Sequence, residues 1–188
     1  AVIAQFEREA QRLDPSRRVR GLEGVADLLR LLGPLDAAEV AARLAETATP
    51  TQDASAGAPH TSTATAPAPP PSDAETDAAA HAAASAFLDQ LVAARRAIRV
   101  SVGGVERVAA IEDAGRLRDA LGAALPVGIP LAFLEPVVDP LADLIARHAR
   151  THGPFRTADV ARRLGIGAAV ARQTLQRLES QGRVASGF

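Results

Sequence analysis

Leu22, Val25, Leu28, Leu29 and Leu32 recur at three- and four-residue intervals across Gly21–Leu32, a spacing that predicts an amphipathic helix. Gly33-Pro34 ends it. Asp36 then caps a second helix, with Glu39 at the reciprocal capping position and Val40, Ala41 and Leu44 turned inward. After a long stretch without large apolar residues, Phe87, Leu88, Leu91 and Val92 mark one face of a third helix over Ala82–Arg96. That helix runs into AIRVSVGGVERVAA, where Ile98, Val100 and Val102 alternate and Gly103-Gly104 signals a two-residue β-hairpin turn. Glu112–Leu121 reads as a short helix, and Pro126, Pro130 and Pro136 break the chain beyond it into an irregular connection.

A second unit repeats the scheme. Asp139 is placed to cap a helix with Pro140 at its first position and Leu141, Leu144, Ile145 and His148 along it; Gly153-Pro154 closes it. Thr157 caps the next helix, containing Val160, Ala161 and Leu164. Gly165-Ile166-Gly167 turns the chain into Ala168–Ser180, with Val170, Ala171, Leu175 and Leu178 facing inward, and Gly182-Arg183-Val184 begins a strand. A glycine-proline pair followed by a cap and an A-V-A-R-L-like helix appears at Gly33–Leu44 and again at Gly153–Leu164, the mark of an internal repeat. Helix, helix, helix and hairpin is the order of a winged helix. The fold expected is mainly α with short β-hairpins: two tandem winged-helix (helix-turn-helix) modules separated by a helical connection, the second cut before its wing closes.

Residues 46–80 contain no Leu, Ile, Val or Phe, too little apolar surface to offset the entropy of ordering, and read as a disordered insertion inside the first module. The expected layout is therefore 1–45 for the first part of module 1, 46–80 for the insertion and 81–110 for its third helix and hairpin. A connector over 111–138 leads to module 2 at 139–188. The 188 residues include no Cys, which excludes disulfides and thiolate metal sites, and no Met or Lys, so all 21 basic residues are Arg. A chain starting at Ala1 without Met reads as a segment of a longer protein. The formal net charge of −1 is unevenly distributed. Residues 1–45 balance seven Arg against seven acids and residues 81–138 six against six, whereas 139–188 carry eight Arg against four acids. Only this last block leans toward a polyanion.

The stretch from Ala94 to Val184, with EDAGRLRDALG, FLEPVVDPLADLIARHARTHGPF and ADVARRLGI as its fingerprints, resembles bacterial large helicase-related (Lhr) proteins, as does AQRLDPSRRVRGLEGVADLLRLLGPLDAAEVAARL before it. Where members of that family often place an aromatic in the hairpin, this chain has Val108. The resemblance implies a parent that is an ATP-dependent superfamily 2 DNA helicase linked to DNA repair, working in the cytoplasm, with ATP and Mg²⁺ as its cofactors.

The segment itself carries no Walker lysine and no D-E-x-H pair, so no cofactor is expected in it and no catalytic residue. His148 and His152 stand i,i+4 but lack a third ligand with metal-binding spacing, and they read as a polar flank favoured by the negative end of the helix dipole. The acid pairs Glu112/Asp113 and Asp139/Asp143 fit helix N-termini better than acid–base chemistry. Nucleic-acid contact is the remaining candidate. Arg172, Gln173 and Gln176, with Ala169 and Ser180, fall on the outer face of the last helix, as groove or phosphate contacts would. Arg156 and Thr157 sit where helix N–H groups could meet a phosphate, and Arg162, Arg163 and Arg183 add charge nearby. In module 1 the outward residues include Asp89, which repels phosphate, beside Arg95 and Arg96; that module reads as scaffold. Phe6, Phe87, Phe133 and Phe155 sit in core-like patterns.

The expected partners are DNA, single strands included, and neighbouring domains of the same polypeptide, with no membrane. Two other functions fit the pattern: a purely structural module, and a stand-alone helix-turn-helix regulator.

Overall fold

The computed structural model describes residues 2–45 and 72–187. Helix α1 (Val2–Ala10) is followed by α2 (Gly21–Leu32) and the short α3 (Ala37–Ala41). Then come α4 (Asp73–Ala93), strands β1 (Ala97–Val102) and β2 (Val105–Ala110), and α5 (Ala114–Leu121). The last three helices are α6 (Pro140–Thr151), α7 (Thr157–Leu164) and α8 (Ala168–Ser180). None of the described helices is long and apolar enough to cross a membrane.

The local signals act as their chemistry requires. Asp36 accepts from the Glu39 amide at 2.9 Å while the Glu39 carboxylate accepts from the Asp36 amide at 3.0 Å, so α3 opens with a reciprocal cap. Leu35, just ahead of it, exchanges both backbone hydrogen bonds with Val108, at 3.0 and 2.8 Å. A short edge segment thus joins the hairpin between the first and second helices of the unit, as in a winged helix. β1 and β2 pair antiparallel from Ala97↔Ala110 to Val102↔Val105 around Gly103-Gly104.

The hairpin has a core on each side. Ala97, Val108 and Ala110 join Leu28, Leu29, Val40, Leu88 and Leu91 in the core of the first unit. Ile98, Val100, Val102 and Ala109, on the opposite face, join Leu117, Ile145, Val160 and Leu178 in the core of the second. A hairpin that sends alternate residues into two cores is a partition between them, and little of it is left to project as a wing.

Five expectations are corrected. Helix α4 starts at Asp73, so residues 73–80 are helical although composition assigned them to the insertion. Ser72 and Glu75 form a capping box, and the alanine-rich run that follows holds a helix with little burial; residues 46–71 lie outside the described ones. Gly182-Arg183-Val184 forms no strand: Gly182 is left-handed and the Arg183 amide returns to the Leu178 carbonyl at 2.9 Å, a C-terminal cap that consumes the segment. Arg156, not Thr157, is the N-cap of α7. Asp139 occupies the N-cap of α6, but its carboxylate accepts from Arg177 at 2.7 Å instead of capping. Val170 is exposed while Thr174 is buried, because the inward stripe of α8 runs through Ala171, Thr174 and Leu178.

Candidate nucleic-acid interface

Helices α7 and α8 meet at Gly165, whose left-handed backbone allows the sharp turn between them. Ala171, Thr174 and Leu178 fasten α8 to the core and leave Ala169, Arg172, Gln173, Gln176 and Ser180 along its outer side, with Arg172 exposed. Arg172 is paired with no acid among the described residues, so its guanidinium is available. Arg177, one turn on, is held by Asp139. This outer side is a polar surface with one unspent cation, suited to phosphate or base-edge contact.

The other predicted contacts divide. Arg156 sits at the N-terminus of α7, but that terminus is already occupied: Asp159 accepts from the Arg156 amide at 3.0 Å and also binds Arg162. A phosphate approaching Arg156 and Thr157 would compete with that carboxylate. Arg162 keeps most of its side chain in solvent, and Arg183 is half-exposed, 3.9 Å from Asp143. Arg163 departs from the expectation. It turns inward, donates to Glu39 at 2.5 and 3.2 Å and to the Pro34 carbonyl at 2.8 Å, and is spent fastening α7 to the first unit.

Glu39 is the hinge-pin of that contact, since it also closes the α3 cap and lies 3.7 Å from Arg107. Arg107 is buried and its ionisation is disfavoured, first by desolvation and then by Arg163. A cavity of about 370 Å³ lies along this seam, lined by Glu39, Arg163, Val102, His148 and His152. The two histidine rings stack at 3.6 Å, and Phe155 meets His148 edge-on at 4.9 Å. Burial, then His152 and Arg163, push the His148 pKa down to about 4, so the ring is neutral at pH 7. Among the described residues no group of three potential metal ligands forms.

Around the hairpin of the first unit the outward charges are used internally. Arg96 makes a bidentate pair with Glu23 at 2.6 and 2.7 Å, and Arg99 binds Asp89 and Glu106. Val108 is buried against Leu35 and cannot meet a base. Asp113 stands at the N-cap of α5, the helix N-terminus expected for it, but its carboxylate makes no cap bond and is buried and gripped by Arg147 and Arg116. Phe6 is exposed, contrary to its core-like pattern.

The family model for the winged-helix domain of large helicase-related protein matches residues 1–64 and 69–136. The chain belongs to the Lhr family. It is 41% identical over 187 residues to the "Lhr helicase/ probable uracil glycosylase" of Mycolicibacterium smegmatis, covering 100% of this chain and 10% of that protein. It is 35% identical over 183 residues to the "Lhr helicase/uracil glycosylase" of Escherichia coli K12, covering 97% of this chain and 10% of that protein. The chain thus spans about a tenth of the length of these Lhr relatives. The matched winged-helix domain runs from α1 through α5 and includes the partition hairpin; α6, α7 and α8 follow beyond it.

Proposed function

We propose that this segment of an Lhr-type helicase holds or orients DNA through α8, while the first winged-helix unit acts as the scaffold that sets the position of α8. Two tandem helix-turn-helix units would then divide the labour. The observation that carries the reading is local: on α7 and α8 Arg162, Arg163 and Arg177 are tied to Asp159, Glu39 and Asp139, and around the hairpin Arg96, Arg99 and Arg107 face acids of the chain, whereas Arg172 stands exposed and unpaired beside Gln173 and Gln176. The parent's ATP hydrolysis, DNA unwinding and role in repair are proposed by membership of the family, with ATP and Mg²⁺ bound elsewhere in the polypeptide.

The test is fluorescence anisotropy with labelled single-stranded and duplex DNA at two salt concentrations. Arg172→Ala with Gln176→Ala is expected to weaken binding and to reduce the dependence of log K on log salt by roughly 0.9 on duplex, since one phosphate is no longer neutralised. Arg95→Ala with Arg96→Ala is expected to do less. Equal losses from the two pairs would defeat the division of roles. A segment that binds no DNA, in a parent whose binding ignores the α8 change, would make the whole segment scaffold.

A further inference from the structure

Away from α7 and α8, the faces of α1, α2 and α6 enclose a groove of about 550 Å³. It continues past Arg12, Arg17 and Leu31 into a second hollow along α2. Arg12, Arg17, Arg18, Arg30, Arg147 and Arg150 line the two hollows together. Only two acids, Glu9 and Asp27, line them as well, so this face is four charges positive in a chain whose net charge is −1. Part of that charge is spent: Arg30 binds Asp27 and Glu112, and Arg147 binds Asp113. Glu9 accepts from Gln5 at 2.7 Å. Arg12, Arg17, Arg18 and Arg150 are paired with no acid among the described residues. The Arg18 Nε is buried without a hydrogen-bond partner. Phe6 stands in the same groove, 59% exposed, and Leu31 beside it is 39% exposed.

Four unspent guanidiniums around a channel with an exposed aromatic wall form a surface for a phosphodiester strand whose bases are uncovered. A duplex keeps its base faces stacked inside and offers none to Phe6, whereas an unpaired strand offers both its phosphates and its bases. We infer that this groove holds a single nucleic-acid strand, with phosphates on Arg12, Arg17, Arg18 and Arg150 and a base against Phe6. The site shares no residue with α8, so it is a second contact beyond the proposed one. It gives the segment separate places for a duplex and for a strand released from it.

The probe is a fluorescein-labelled oligothymidylate of about 15 nucleotides, near the upper end of the site sizes of single-strand binding folds, beside a duplex of equal length. The triple change Arg12→Gln, Arg17→Gln, Arg150→Gln is expected to weaken strand binding at least tenfold. It is also expected to lower the salt slope by about 2, at roughly 0.7 per phosphate on single strands, while duplex binding holds. Phe6→Ser is expected to weaken strand binding about fivefold or more with the salt slope unchanged, the signature of stacking removed without any change in charge. Thermal unfolding by circular dichroism confirms that each variant is folded. The inference is overturned if the folded triple variant binds the strand as its parent does, if strand and duplex binding fall equally, or if the parent binds no strand. Loss of strand binding on Arg172→Ala with Gln176→Ala, without loss in the triple variant, would place the strand on α8 instead.

Discussion

Gly103 at the tip of the hairpin lies flat against Gly165 in the turn between α7 and α8: a Cβ built on Gly165 would stand 2.6 Å from the Gly103 Cα. Both glycines have positive φ, +62° and +68°, so each is needed for its own turn as well as for the contact. The tip that would reach toward nucleic acid in a free wing is seated on the turn between α7 and α8.

Gly165→Ala should therefore cost more than a left-handed alanine alone. Gly122 supplies the control, since it is left-handed at +63° with nothing within 4 Å of the added carbon. Gly122→Ala is expected to lose about 1 kcal/mol and Gly165→Ala about 3 kcal/mol, a difference of roughly 4–8 °C in Tm for a domain of this size. Equal losses in thermal melts would show that the hairpin tip does not press on the turn.

Glu39→Gln should loosen the seam between the units. The change leaves Arg163 and Arg107 facing a neutral amide in a partly buried site, and a loss of about 2 kcal/mol is expected by urea unfolding. Adding Arg163→Met should restore part of it, because one of the two cations left unpaired is then gone. Strict additivity of the two changes would show that they do not interact.

Acid should destabilise this protein through His148. Its folded pKa, about 4, lies below the ordinary 6.5, so the unfolded chain binds the extra proton first. The stability is complete above pH 6.5 and is lost as pH falls toward 4, by roughly 2 kcal/mol after allowing for partial exposure. His152, shifted the same way by burial, adds to the trend. His148→Asn should flatten the fall in Tm between pH 7 and pH 5; an unchanged slope would assign the acid sensitivity to other groups.

Ser72→Ala should act locally. The cap contributes about 1 kcal/mol to the start of α4, yet the residues it supports are mostly exposed as far as Ala83, ahead of the first core residue at Ala84. Amide exchange is expected to accelerate for residues 76–80 with the global Tm nearly unchanged. A large drop in Tm would mean that the first turns of α4 are part of the core.

What could be read in advance follows from which forces are local. The α2 stripe, the Asp36–Glu39 cap and the Gly103-Gly104 hairpin are set by neighbours in sequence, and the structure has them where the residues place them. The start of α4 is hidden in the sequence because a capped alanine helix needs no apolar face. The exposure of Val170 and Phe6 depends on where a packed face ends, which periodicity does not state. Arg163 is matched to Glu39 across 124 positions, beyond any spacing rule. The basic groove is invisible for a related reason: residues 1–45 sum to zero charge, and only the fold separates their arginines from their acids.

The partition hairpin also decides what counts as a part. The inherited winged-helix pattern ends at residue 136, but Leu144, Ile145, Val160 and Leu164 close on β1 and β2, inside that pattern. A cut at the pattern's edge would strip the cover from one face of the sheet and leave α6, α7 and α8 with nothing to close upon. Kinship and cooperativity draw their borders in different places here, and the smallest piece that can melt as a whole is larger than the smallest piece that can be recognised.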